Sequence, residues 1–314
     1  MTLAFVFPGQ GSQAVGMGAD LAAAFPAARA VFEEVDDALG QTLWRLIAEG
    51  PIEELTLTEN AQPALMAVSL AVVRALETEF GVDVRRAAFV AGHSLGEYSA
   101  LAAAGALGLA DAARLLKLRG QAMQRAVPVG AGAMASLIGP KSDVALAEAA
   151  AAAGSVAGVC VVANDNNAGN VVISGETAAV DLAIESAKAM GARAILLNVS
   201  APFHCPLMEP AAAAMAEALA RTAIEPPVAP LVANVTARPT LDPDTIRRLL
   251  VEQVTGRVRW RESIEWLVGE GGVTMFAEAG AGKVLTGMAK RIAPDAAAVA
   301  LNTPADLEAF ARSL

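Results

Sequence analysis

Cysteine, histidine and aromatic residues are scarce in this chain of 314 residues, and each scarcity removes a class of function. Cys160 and Cys205 are the only cysteines, with no C-x-x-C spacing, and there are two histidines. That is too few for a zinc site or a disulfide framework, so no metal is expected and both thiols are expected to be free. Basic residues are in short supply, 23 against 33 acidic, which leaves a formal net charge of -10. Nucleic acid is therefore not an expected partner, and an acidic macromolecule would have to find a local basic patch. Long apolar runs are missing as well. Hydrophobic residues make up 55% of the chain and mean hydropathy is +0.47. The excess is alanine, however, and charges interrupt the runs short of a membrane span. No basic segment precedes Leu3 to Phe7, and Pro8-Gly9 follows at once, so this run reads as a first strand and the cytoplasm is the expected location.

What the chain does contain is centred on Gly92-His93-Ser94-Leu95-Gly96, a G-x-S-x-G pattern. It lies between an apolar run from Ala87 to Ala91 and a small-residue helix candidate from Glu97 to Ala104, the setting of a nucleophile elbow. A strand that turns directly into a helix brings backbone against backbone, and glycine has no Cβ to collide there. Ser94 would stand at the tip of the turn, with the helix N-terminus supplying free N–H groups and partial positive charge. The bare pattern also arises by chance in a chain rich in glycine and alanine, so other residues have to decide.

Pro8-Gly9-Gln10-Gly11-Ser12-Gln13 forms a turn after the first strand, either an ordinary glycine loop or one that presents N–H groups and an amide to a ligand. Helices are expected at Phe25 to Leu39, at Leu43 to Ala48, and from Asn60-Ala61-Gln62-Pro63 onward. In a further helix, Asp111 to Arg125, the apolar face of Ala112, Leu115, Leu116, Ala122 and Met123 carries Arg119 in its middle. A charge there needs a partner: a protein carboxylate, an anionic ligand, or water reached by snorkelling. A bidentate grip on a substrate carboxylate is the functional form of the second choice.

From about Pro128 the pattern changes to strand (Ala133 to Ile138), helix (Asp143 to Ala153), two strands (Ser155 to Ala163, Asn170 to Ser174), helix (Thr177 to Met190) and strand (Ala194 to Val199). This βαββαβ order predicts a ferredoxin-like subdomain at 130–199, inserted into a large α/β-hydrolase-like domain with a mainly parallel sheet, residues 1–129 and 200–314. Asn164 to Asn167 read as turn residues, although the Asn164 amide is also able to reach a cleft. His204 follows in a loop between Pro202 and Pro206 and is the candidate general base, His93 being expected to point elsewhere. Helices at 208–222, 246–254 and 260–268 and strands at 231–235 and 273–278 complete the large domain. Gly282-Lys283 lacks the spacing of a phosphate-binding loop.

Taken together, Phe7-Pro8-Gly9-Gln10-Gly11-Ser12-Gln13, Gly92-His93-Ser94-Leu95-Gly96-Glu97, Arg119-Gly120, Asn170 to Gly175, Pro202-Phe203-His204 and Gly282-Lys283-Val284-Leu285 resemble the malonyl-CoA:acyl-carrier-protein transacylases, in family order from end to end. The resemblance implies Ser94 as the acylated nucleophile, His204 as its base, Gln10 and Leu95 as backbone donors to the oxyanion, and Arg119 as the holder of the malonyl carboxylate. It also implies that the main-chain carbonyl of Gln253 orients the histidine. Malonyl-CoA and acyl carrier protein would be the substrate and partner, in ping-pong kinetics serving fatty-acid biosynthesis. The phosphopantetheine travels on the partner, and no cofactor or membrane is expected. A monomer is expected, and Lys283, Lys290 and Arg291 are a candidate basic patch for an acidic carrier. Ala279 and Ala281 stand where relatives often have valine and proline, and Phe203 before the histidine leans towards malonyl over methylmalonyl. The competing readings are a serine hydrolase, a polyketide-pathway acyltransferase and a non-catalytic carrier- or CoA-binding module.

Overall fold

Every residue of the first strand, β1 (Leu3–Phe7), is buried. A central strand of a parallel sheet requires this, because helices cover both of its faces. Alternate side chains go to opposite sides: Ala4 and Val6 join Trp260 and Phe276, while Phe5 and Phe7 join Leu65 and Leu116. The computed structural model describes residues 1 to 314. Its strands continue as β2 (Phe89–Gly92), β3 (Gly132–Ile138), β4 (Cys160–Asn167), β5 (Asn170–Glu176), β6 (Arg193–Leu196), β7 (Leu231–Ala233), β8 (Arg238–Thr240), β9 (Met275–Ala279) and β10 (Ala297–Leu301).

Six of these strands form one sheet in the order β10-β9-β1-β2-β7-β8, parallel throughout except for the β7–β8 edge pair. The other four form a separate antiparallel sheet in the order β4-β5-β3-β6. Helices Val144–Gly154 and Thr177–Ala189 cover it through a core of small residues that includes Ala147, Ala150, Ala179 and Ala183. That order and connectivity are ferredoxin-like. No helix is long and apolar enough to cross a membrane.

Two helices matter most for the site. Thr58–Phe80 runs buried through the main core and starts before the Asn60 position expected from sequence, so that Pro63 lies inside it. Leu109–Ala126 packs across it at Gly120, where a Cβ would come within 2.5 Å of the Glu59 Cα. Only glycine permits that approach, and it brings the residues beside Gly120 into reach of the neighbouring helix.

The expected turn at Asn164 to Asn167 is instead the second half of β4, and all four residues are buried. Asp165 and Asn166 find partners on other elements, whereas the side-chain amide of Asn167 is buried with none. The Asp165 N–H donates to the Val258 carbonyl at 2.9 Å, and the Val258 N–H donates to the Ala163 carbonyl at 2.8 Å. Arg261 donates to both carboxylate oxygens of Asp165, at 3.1 and 2.8 Å. Register shifts against β5 at Val162/Asn164 and Asp165/Asn167 mark where the strand bends to make these contacts. At its other end β4 begins at Cys160 rather than Ser155, because Ser155–Ala157 is a short 3-10 turn followed by Gly158 at φ 140°.

Candidate active site

Between the end of β2 at Gly92 and the helix Gly96–Ala103, the backbone reverses through Ser94 at φ 53°, a left-handed conformation rare for serine. The glycines are dictated by contact: a Cβ on Gly92 would lie 1.9 Å from the Gly96 carbonyl group, and one on Gly96 would lie 2.2 Å from the Phe7 carbonyl oxygen. Asn234, just beyond β7, staples the turn. Its Oδ1 accepts from the Ser94 N–H at 2.8 Å, and its Nδ2 donates to the Gly92 carbonyl at 2.7 Å.

Against the Ser94 hydroxyl stands His204, on the proline-fixed loop and also left-handed, at φ 58°. Its Nδ1 is 2.9 Å from the Gln253 carbonyl oxygen and its Nε2 is 2.8 Å from Ser94 Oγ. A carbonyl only accepts, so Nδ1 carries the proton and Nε2 offers a lone pair to the serine O–H. Burial, and then the charge of Arg119, push the His204 pKa down to about 3, which leaves the ring neutral at pH 7.

Arg119 is 2% exposed, with none of the snorkelling to water that the sequence left open. Its Nη1 donates to Gln62 Oε1 at 2.8 Å, and its Nη2 donates to Gln253 Oε1 at 2.8 Å and to Ser94 Oγ at 3.2 Å. The guanidinium carbon sits 5.8 Å from the centre of the Tyr98 ring, and Nε has no partner. The protein groups that accept from this cation are therefore two neutral amides and the Ser94 hydroxyl, with no carboxylate among them. Burial lowers its pKa while Tyr98 and Glu97 act to raise it, and a guanidinium stays charged under these influences.

Gln10 and Leu95 complete the wall around Ser94 in a cavity of about 310 Å³. Neither backbone N–H donates to a protein acceptor, so both are free to meet an oxygen in the cavity. The Gln10 loop is tied back by Thr58, whose hydroxyl donates to Gln10 Oε1 at 2.8 Å. Met134, Asn164 and Val172 line the cavity from the four-stranded sheet, while Leu285 and Met288 close it from the main domain. The serine, histidine, arginine, free amides and cleft together suit attack on an activated carbonyl next to an anionic group. A match to the acyl transferase domain model covers residues 4–300.

The chain belongs to the acyl transferase family.

Within the family, it is 47% identical over 307 residues to the malonyl CoA-acyl carrier protein transacylase of Escherichia coli K12, covering 98% of this chain and 97% of the relative. It is 44% identical to that of Bacillus subtilis 168, covering 99% and 97%. A crystal structure of an acyl-carrier-protein S-malonyltransferase from Bartonella henselae superposes with a TM-score of 0.96 at 55% identity, covering 100% of this chain and 99% of that one. A malonyl-transacylase in complex with its type II polyketide acyl carrier protein matches with a TM-score of 0.96 at 43% identity, over the whole of both chains.

Several residues of this acyl transferase site were given no role there by the sequence. His93 does not point away: it faces the same cavity, with Nε2 2.9 Å from Asn166 Oδ1 and its ring 5.6 Å from that of Trp260. Gln62, Asn234 and Glu97 meet the predicted residues only through the fold. The apolar helix that contains Gln62 was legible, but nothing in its sequence marked the Gln62 amide as the partner of Arg119.

Proposed function

We propose that this chain is a malonyltransferase that moves a malonyl group from malonyl-CoA to the phosphopantetheine thiol of acyl carrier protein, through a malonyl ester on Ser94, for fatty-acid biosynthesis. The observation that carries the reading is Arg119, a buried cation held by two amides at hydrogen-bond distance from the nucleophile. A pocket for a neutral acyl chain has no use for that charge, whereas the free carboxylate of malonyl pairs with it. The names of the relatives agree with this chemistry.

In the proposed cycle Nε2 of His204 takes the Ser94 proton as Oγ attacks the thioester carbonyl. The N–H groups of Gln10 and Leu95 stabilise the oxyanion, and the histidine returns the proton to the departing CoA thiolate. The carrier thiol then reverses the steps. The Gln253 carbonyl fills the third role, holding Nδ1–H without adding a charge. These steps call on no cofactor. An acidic carrier is proposed to dock near the exposed Lys283, Lys290 and Arg291, since Val284 and Met288 of the same helix line the cavity. We place the protein in the cytoplasm as a monomer, where the buried, unpaired Cys160 and Cys205 stay reduced.

Brief exposure to malonyl-CoA followed by intact-mass spectrometry tests the reading. The expected result is a malonyl adduct on Ser94 that discharges to carrier protein faster than to water. Absence of the adduct contradicts it, and discharge to water as fast as to carrier makes the chain a hydrolase.

A further inference from the structure

Glu97, in the first turn of helix Gly96–Ala103, is a carboxyl group at 1% exposure that none of the steps above employs. Its Oε2 lies 2.5 Å from Gln253 Nε2, and its Oε1 has no partner. The Gln253 side chain is the junction of the site. Its Nε2 also donates to the Ser94 carbonyl at 2.9 Å, while its Oε1 accepts from Arg119 Nη2 at 2.8 Å. The main-chain carbonyl of the same residue holds His204.

A primary amide has one donor end and one acceptor end. The carboxylate of Glu97 and the carbonyl of Ser94 both accept, so the donor end of Gln253 turns to them and its oxygen is left for Arg119. Rotated by half a turn, the amide would set N–H groups against the guanidinium and an oxygen against two oxygens. Such mismatches are costly where water cannot compensate.

We infer that Glu97 is a positioning residue for acyl-group selection: its carboxylate fixes the Gln253 amide in the orientation that aims Arg119 at the substrate carboxylate. The inference rests on the malonyltransferase reading above. Burial raises the Glu97 pKa to about 7 against the lowering effect of the Gln253 N–H and the Arg119 charge, so the carboxylate is about half the population at pH 7 and the main form at pH 8, where the orientation is tested. In Glu97→Gln, position 97 can meet either end of Gln253, and in one of the two arrangements Arg119 loses an acceptor.

The test is single-turnover acylation of Ser94 at pH 8 by malonyl-CoA and by acetyl-CoA, read by intact mass, in the wild type, Glu97→Gln, Gln253→Met and the double variant. Gln253→Met keeps the main-chain carbonyl for His204 and removes only the amide. In Glu97→Gln the malonyl-to-acetyl rate ratio is expected to fall about tenfold, the equivalent of one hydrogen bond to a charged group. Gln253→Met is expected to lower the ratio to the same degree, and adding Glu97→Gln to it should change nothing further. Equal losses with both thioesters, or an unchanged ratio, overturn the inference, as does a full additional fall in the double variant. Thermal melts check that each variant folds. Should Glu97→Gln not fold, Gln253→Met decides alone, since an unchanged ratio there leaves Glu97 nothing to act through. A wild type that takes no malonyl adduct overturns the malonyltransferase reading itself, whereas an adduct with an unmoved ratio overturns only the role of Glu97.

Discussion

Burial moves the titrating groups around Ser94 in opposite senses. His204 falls from 6.5 to about 3, so in the folded chain it stays neutral while an unfolded chain takes up protons below 6.5. Stability is therefore lost as pH falls through that window. Glu97 rises from 4.5 to about 7, so the folded chain holds its proton where the unfolded chain has released it. Its contribution runs the other way: stability falls as pH rises from about 4.5 to 7. Arg119 and Tyr98 are the neighbouring charged and titratable groups, and both stay in one form across this range. Glu97→Gln should consequently melt at a higher temperature relative to the wild type at pH 8 than it does at pH 5. Circular-dichroism melts at the two pH values measure this, and a difference independent of pH would contradict it.

Among the elements, those that the sequence announced are the ones governed by local rules. The elbow was legible because a strand-to-helix reversal tolerates only small residues at Gly92 and Gly96, and the contacts there leave no room for a Cβ. Arg119 stood out because it breaks the period of an amphipathic helix, and the structure buries it. The second half of β4 misled because Asn164-Asp165-Asn166-Asn167 is a turn composition, and what overrides composition there is tertiary. Asp165 pairs with Arg261 on the helix Trp260–Gly269, and Asn166 meets His93. Gln62 and Glu97 were illegible for the same reason, since each finds its partner on an element far away in sequence. Periodicity reports which way a side chain faces and not what waits for it across the core.

At the scale of the whole molecule, the cavity exists only because the four-stranded sheet is held over the parallel one. The bond pair between Val258 and β4 and the ion pair of Asp165 with Arg261 join the two beside the site. Asp165 is 1% exposed, so Arg261→Ala leaves its carboxylate buried and unpaired, at a cost of about 3 kcal/mol by comparison with other broken buried pairs. Hydrogen exchange should then quicken at the amides of β4, and acylation of Ser94 should slow because Asn164 and Asn166 line the cavity. Unchanged exchange would mean that the backbone bridge to Val258 suffices alone.

The central claim is that one buried guanidinium turns a generic acyl-enzyme site into one that selects an acyl group with a free carboxylate. Its most direct test is the ratio of Ser94 acylation rates with malonyl-CoA and acetyl-CoA, compared between the wild type and Arg119→Ala. Loss of a buried, hydrogen-bonded charge partner should lower the malonyl rate by about thirtyfold or more, and the acetyl rate far less, so the ratio collapses. Equal losses with the two thioesters would make Arg119 a structural residue and contradict the account.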